Sequence, residues 1–239
     1  MKKDGVREFL KLFEVIVFDM GDTFMFDCDH FSNDEDFQAT YRSLGGEHLI
    51  QDELTKSIRH IYNSFMKIGR DEDYYNSFPT MSDFLSTDAY FKDFGTQDRE
   101  IIKEVFAVHE CGEIPASSKR VLNHLSKSHR LGLISNVWSD SDIFRSKLMD
   151  AGVHDLFSTL IFSSEYGAIK PAQKLFEKAA KHFELPYQGL VYIGNNYKRD
   201  IVGAKSTGMH AILVNNGPAS DITGEMKPDY VINSIEELI

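Results

Sequence analysis

Four polar side chains, distant in the chain, stand at or just beyond the ends of short apolar runs. Asp19 follows the run at residues 15–18 and Ser135 closes the run at 130–135. Lys170 lies in the loop after residues 160–162, and Asp200 comes after the run at 189–194. A carboxylate, a hydroxyl, an ammonium and a second carboxylate suit phosphoryl transfer through an aspartyl phosphate. The attack brings an anion up to an anionic phosphate, so it needs positive charge nearby. Lys170 and a divalent cation would supply it, Ser135 would hydrogen-bond a phosphoryl oxygen, and Asp200 would hold the metal. Magnesium suits one or two carboxylates plus a substrate phosphate and retained waters. By itself Asp19 reads equally well as a cap on the turn formed by Gly21, Asp22 and Thr23. The other three strand ends favour chemistry.

Those residues need a sheet to bring them together. Short apolar runs bounded by turn formers, at 15–18, 130–135, 160–162, 189–194, 211–214 and 230–232, predict buried strands. Helical patterns at 115–126, 142–151 (closed by Gly152), 172–183 and 198–207 (closed by Gly208) alternate with them, and a last helical turn follows residue 232. Strands alternating with helices of about 10 residues mean βαβ units and a parallel sheet. In such a sheet all carboxyl ends open on one edge, where ligands collect. Residues 34–111 contain no strand pattern. Leu49, Leu54, Ile58, Ile61 and Phe65 recur close to one helical face, stopped by Gly69. Ser32 or Asn33 reads as the N-cap that opens this block. Shorter helices are expected around Phe84-Leu85 and Tyr90-Phe91, and a longer one over 98–108. The fold class is therefore α/β: a Rossmann-like parallel sheet formed by residues 1–28 and 112–239, interrupted by a helical cap at 29–111.

Composition narrows the partners. The 239 residues carry 37 acidic and 26 basic side chains, a formal net charge of −11. That balance excludes a typical nucleic-acid binder, which concentrates Lys and Arg, but not a small phosphorylated ligand. The two cysteines, Cys28 and Cys111, are too few for a disulfide framework or a zinc site. No run approaches the ~20 apolar residues of a membrane span. The amino terminus lacks the apolar segment and cleavage site of a signal peptide. A soluble, cytoplasmic protein with free thiols is expected.

The motifs Phe18-Asp19-Met20-Gly21-Asp22-Thr23, Leu133-Ile134-Ser135-Asn136, Lys170-Pro171 and Gly194-Asn195, running on to Asp200 and Gly203-Ala204, occur in this order. In that arrangement the chain resembles the haloacid dehalogenase superfamily of phosphohydrolases, in the branch with a helical cap after the first motif. The resemblance covers essentially the whole chain. It implies a Rossmann-like core, Asp19 as nucleophile, Ser135 and Lys170 as phosphate ligands, and Mg²⁺ near Asp19 and Asp200, with the Gly21 carbonyl as a further ligand. It points to a phosphoric monoester hydrolase acting on a small phosphorylated metabolite. Asn136, next to Ser135, is a further candidate for the phosphate or the cap.

Two positions depart from the pattern. The family's phosphatases usually carry an acid–base aspartate two residues after the nucleophile; here that residue is Gly21, and an aspartate follows at Asp22. Loss of a positioned acid–base is worth roughly 10²–10⁴ in rate. Asn195 stands where an aspartate is usual, so the metal would keep an amide oxygen and lose a charge. Either Asp22 moves into the acid's place, or the substrate has a good leaving group, or the chain binds a phosphorylated ligand or partner without catalysis. Retention of Asp19, Ser135, Lys170 and Asp200 ranks the first two above the third. A metal-independent 2-haloacid dehalogenase is the remaining alternative, disfavoured because Tyr197 falls where that branch carries asparagine.

Other polar groups read more plainly. His109-Glu110-Cys111 cannot converge on one ion from a helix, since neighbours point about 100° apart, so a solvated helix end is expected. Asp27, Asp29 and His30 form an acidic hinge that could reach a substrate, though such loops are usually just solvated. Trp138 either walls the pocket or anchors the cap to the core. The aromatics Phe65, Tyr74, Tyr75, Phe78, Tyr90 and Phe91 are expected in the cap's own core.

Overall fold

A strand buried on both faces must be apolar at every position, and Val15–Phe18 (β1) is. Its side chains alternate between two cores. Ile16 and Phe18 join one apolar cluster and Val15 and Val17 the other. The structure, a computed structural model, describes residues 2–215 and 226–239. Around β1 it assembles a six-stranded parallel sheet with β2 (Arg130–Ser135), β3 (Phe157–Phe162), β4 (Leu190–Gly194), β5 (His210–Val214) and β6 (Tyr230–Ile232), in the order β3-β2-β1-β4-β5-β6. This is the doubly wound order, whose direction reverses at β1, so a crevice opens between the carboxyl ends of β1 and β4. Register makes those ends level: Phe18 pairs with Leu133 on one side and Ile193 on the other.

One face of the sheet is covered by α1 (Lys2–Leu10), α6 (Ala116–Leu125) and α7 (Asp142–Asp150), the other by α8 (Gln173–Phe183) and α9 (Gly203–Thr207). Between β1 and α6 lie α2 (Phe37–Ser43), α3 (Gln51–Ile68), α4 (Met81–Thr87) and α5 (Thr96–Glu110). These helices share an apolar core of their own, including Phe37, Tyr41, Ile58, Phe65, Phe91 and Phe106. Two linkers join the insert to the sheet and pair with each other. Phe26 and Glu113 exchange backbone hydrogen bonds of 2.8 and 2.7 Å, and His30 N donates to His109 O at 2.8 Å. Among the described residues no helix is long and apolar enough to cross a membrane.

Several expectations need correction. The block opens on neither Ser32 nor Asn33: Asp36 caps α2, its Oδ1 accepting from Ala39 N at 2.9 Å. Helix α1 carries no clear opening signal in the sequence, and Val6 and Leu10 reveal their purpose only against the assembled core. The helix expected from residue 198 begins instead as a π-helical turn, Tyr197–Val202, with α9 following. Both Asp200 N and Ile201 N donate to Asn196 O, at 2.8 and 3.4 Å. The wider turn lets the Asp200 carboxylate fold back beneath β4.

Candidate active site

Asp19 is the first residue beyond β1, and its N–H still donates to Ile193 O of β4 at 2.8 Å. The ladder therefore fixes its backbone while its carboxylate leaves the sheet at the crevice. There it meets Lys170, only 2% exposed. The Lys170 ammonium has three protons and three acceptors: Asp19 Oδ1 at 2.6 Å, Asp200 Oδ1 at 2.7 Å and Tyr192 Oη at 2.9 Å. Asp200 is fully buried, and its Oδ2 accepts from Asn196 N at 2.8 Å. Its fit explains Gly194 at the end of β4: a Cβ there would come within 2.5 Å of the Asp200 carboxyl carbon. Tyr192 donates onward to Ile134 O at 2.9 Å, tying β2 to β4 beneath the site.

One ammonium between two buried carboxylates leaves the cluster with an excess negative charge. Burial raises the Asp19 carboxyl to about 6, and Asp200's charge adds to this, while Lys170 pulls the other way. Burial and the same two carboxylates hold the Tyr192 hydroxyl well above its ordinary value, so it acts as a neutral hydrogen-bonding group.

A polar cavity of about 190 Å³ opens over this cluster, and every residue expected at the site lines it: Asp19, Gly21, Ser135, Asn136, Lys170, Asn195 and Asp200. Asp22, Cys28, Asp29, Asn196 and Arg199 complete the wall. Asn136 lines the cavity but its amide serves the Lys170 main chain: Oδ1 accepts from Lys170 N at 2.8 Å, and Nδ2 donates to Lys170 O at 3.4 Å. A Cβ built on Gly21 would meet nothing within 4 Å, so the missing side chain leaves open space. Asp22 is exposed and left-handed, φ 52°.

Residues that carry oxygen donors and line the cavity are Asp19, Gly21, Asn195 and Asp200, and the Asp200 oxygens already receive Lys170 and Asn196. Among the described residues no group of three or more His, Cys, Asp or Glu is arranged to hold a metal by itself. The set suits a hard cation that keeps water and leans on a ligand's phosphate.

The sequence does not point to Tyr192, because a tyrosine inside an apolar strand looks like core until its hydroxyl is seen beneath the site. Arg199, one place before Asp200, was likewise legible only as a cation in a polar turn. The solvated end expected at residues 109–111 is overturned. Glu110 is buried, its Oε1 and Oε2 accepting from Trp138 N at 2.7 Å and Ser139 N at 2.9 Å. His109 bonds Thr40 Oγ1 at 3.0 Å and faces His30 O at 3.2 Å. Trp138 sets its ring edge-on to Tyr62 and tilted against Phe65 and Phe106, which makes it an anchor between insert and sheet.

Fold and site together define a doubly wound α/β protein with an Asp–Lys–Asp cluster at its switch point. Residues 50–214 match the family described as haloacid dehalogenase-like hydrolase, and the chain belongs to it. A glyceraldehyde 3-phosphate phosphatase of Methanothermobacter thermautotrophicus is 35% identical over 117 residues, 49% of this chain and 49% of that protein. The chain thus spans about half the length of that relative. Another protein of the same name, from Pyrococcus furiosus, is 23% identical over 96% of this chain and 93% of its own. The 2-haloacid dehalogenase of Pseudomonas syringae pv. Tomato DC3000 superposes with a TM-score of 0.66 at 20% identity, covering 95% and 96% of the two chains, a likeness of fold alone.

Proposed function

We propose that this chain is a Mg²⁺-dependent phosphatase for a small phosphorylated metabolite, working through a phosphoryl group carried on Asp19. The observation that carries this reading is the Lys170 ammonium held between Asp19 and Asp200 on the floor of a polar cavity. Such an arrangement neutralises an attacking carboxylate and an arriving phosphate without protonating either.

An Asp19 oxygen attacks phosphorus while the ester P–O bond breaks and its electron pair leaves with the alcohol oxygen. Ser135, at the end of β2, hydrogen-bonds a phosphoryl oxygen, and Lys170 holds another. Asn136 and Tyr192 keep Lys170 in place. Water then attacks phosphorus, the bond to Asp19 breaks, and inorganic phosphate departs. Asp19, the Gly21 carbonyl, Asn195 and Asp200 would hold Mg²⁺, which when bound supplies positive charge against the phosphate oxygens. The helical block at 29–111 is a cap over the core formed by 1–28 and 112–239, and it selects the substrate.

A screen of phosphorylated metabolites, beginning with glyceraldehyde 3-phosphate and including aryl phosphates, tests the reading beside Asp19→Ala. The expected result is Mg²⁺-dependent phosphate release by the wild type and none by the variant. Equal release by both, or halide release from a 2-haloacid without metal, overturns it.

A further inference from the structure

We infer that Asp29, on the linker leading into the helical insert, is the acid–base that Gly21 cannot provide, protonating the departing alcohol and then activating water. This rests on the phosphatase reading and deepens it.

An alkoxide leaving a phosphate needs a proton, and the group that gives it must face the same cavity as the nucleophile. Elimination among the cavity's titratable groups is short. Lys170 already donates to three acceptors, and Asp200 is buried with both oxygens engaged. The Cys28 thiol is pushed up to about 12 by burial and by surrounding carboxylates, too high to exchange protons near neutrality. Glu110 borders the space next to Gly21, but both its oxygens are fixed by the Trp138 and Ser139 N–H groups. Asp29 and Asp22 remain.

Asp29 is the better placed, because it lines both the cavity and the adjoining space beside Gly21, whereas Asp22 lines only the cavity. Its N–H faces Glu110 O at 3.4 Å and its carbonyl accepts from Phe31 N at 2.8 Å. Asp29 lines the cavity together with Asp19 and Gly21, where the absent Gly21 side chain leaves room for an alcohol. The charged groups that face it are Asp22, Arg199 and His30, with Glu110 and Cys28 close behind. Although the residue is exposed to solvent, partial loss of water around its carboxyl, then Asp22's charge, raises it to about 6, against the pull of Arg199 and His30. A carboxyl tuned so can give a proton and take one back at neutral pH.

The proton balance closes. In the first step Asp19 bonds to phosphorus, the ester P–O bond breaks, and Asp29's proton goes to the departing oxygen. In the second, Asp29 takes a proton from the attacking water as the Asp19–phosphorus bond breaks. Inorganic phosphate leaves, and Asp29 is again protonated.

Asp29→Asn keeps shape and suits the left-handed backbone, φ 62°, which Asn tolerates. Steady-state hydrolysis of an alkyl phosphate and of p-nitrophenyl phosphate, with Mg²⁺, is compared in wild type, Asp29→Asn, Asp22→Asn, Gly21→Asp and Gly21→Asp/Asp29→Asn. The expected loss in Asp29→Asn is about 10²–10⁴-fold on the alkyl phosphate. The first turnover of p-nitrophenyl phosphate, whose leaving group needs no proton, should change little. Gly21→Asp should restore the alkyl rate in the double variant, because it reinstates an acid beside the nucleophile. Asp29→Asn within about threefold of wild type, or the loss appearing in Asp22→Asn instead, overturns the inference while phosphatase activity stands. Turnover that appears only once Gly21→Asp is introduced overturns it too. No Asp19-dependent turnover in any variant overturns the phosphatase reading itself.

Discussion

Lys170 carries the charge balance of the site. Its side chain is buried, and its head faces two carboxylates and a phenol. Lys170→Met removes the ammonium but keeps the volume, leaving two buried carboxylates without a counter-charge. Breaking a buried pair in this way costs about 3–5 kcal/mol. For a chain of this size that is a Tm fall of roughly 6–20 °C, with turnover lost. A calorimetric scan of the variant near neutral pH checks the first part and a phosphate-release assay the second. Asn195 offers a companion test. Asn195→Asp returns a charge to the oxygen donors at the cavity and should lower the Mg²⁺ concentration for half-maximal activity about tenfold, equivalent to about 1.4 kcal/mol. Chelation should stop wild-type turnover and added Mg²⁺ restore it; an unchanged Mg²⁺ requirement in the variant would place the cation elsewhere. At this scale the sequence was informative where a polar residue closes or follows an apolar run, as at Asp19, Ser135 and Asp200. It was silent where a polar group hides within a run. Tyr192 occupies a fully buried strand, and nothing local separates a core tyrosine from one whose hydroxyl holds the site's lysine.

At the scale of elements, the junction of α5 with the loop after β2 links insert to sheet. Glu110 closes α5 and receives two N–H groups of that loop, while Trp138 of the same loop packs into the insert's core. Burial pushes the Glu110 carboxyl up to about 7 from an ordinary 4.5. The sign follows from linkage. The folded chain holds this proton more tightly than the unfolded one, so the contribution is full below the unfolded value and is lost as pH rises through about 7. Asp19 and Asp29, raised to about 6, act in the same direction. Tm should therefore fall as pH increases from about 5 to about 8 from these groups, and Glu110→Gln should flatten the upper part of that slope. Thermal scans of both proteins across the range decide it; parallel curves would mean Glu110 does not titrate there. The strands, α3 and the alternation of β and α were legible because burial on two faces or one imposes a period on the sequence. The π-helical turn was not, because it answers to Asp200's need for space beneath β4. Glu110 was misread for a related reason: a charged residue at a helix end is normally solvated, and only the pairing of two distant linkers buries this one.

For the whole molecule, three apolar cores define the mechanics. Two sandwich the sheet and hold Asp19, Ser135 and Asp200 on one rigid edge, and the third belongs to the helical insert. The paired linkers at residues 26–30 and 109–113 carry the chain between insert and sheet, and they place Asp29 on the cavity wall. In a chain of net charge −11, the proposed phosphate ligand would depend on Lys170 and the proposed cation for its attraction. Every step of the proposed reaction depends on Asp19 carrying the phosphoryl group. Rapid acid quench during turnover of p-nitrophenyl phosphate, followed by mass spectrometry of the peptide containing Asp19, tests it most directly. The expected result is a phosphoryl adduct on Asp19 that is absent from Asp19→Ala. Sustained turnover with no adduct at Asp19, or an adduct on another residue, would contradict it.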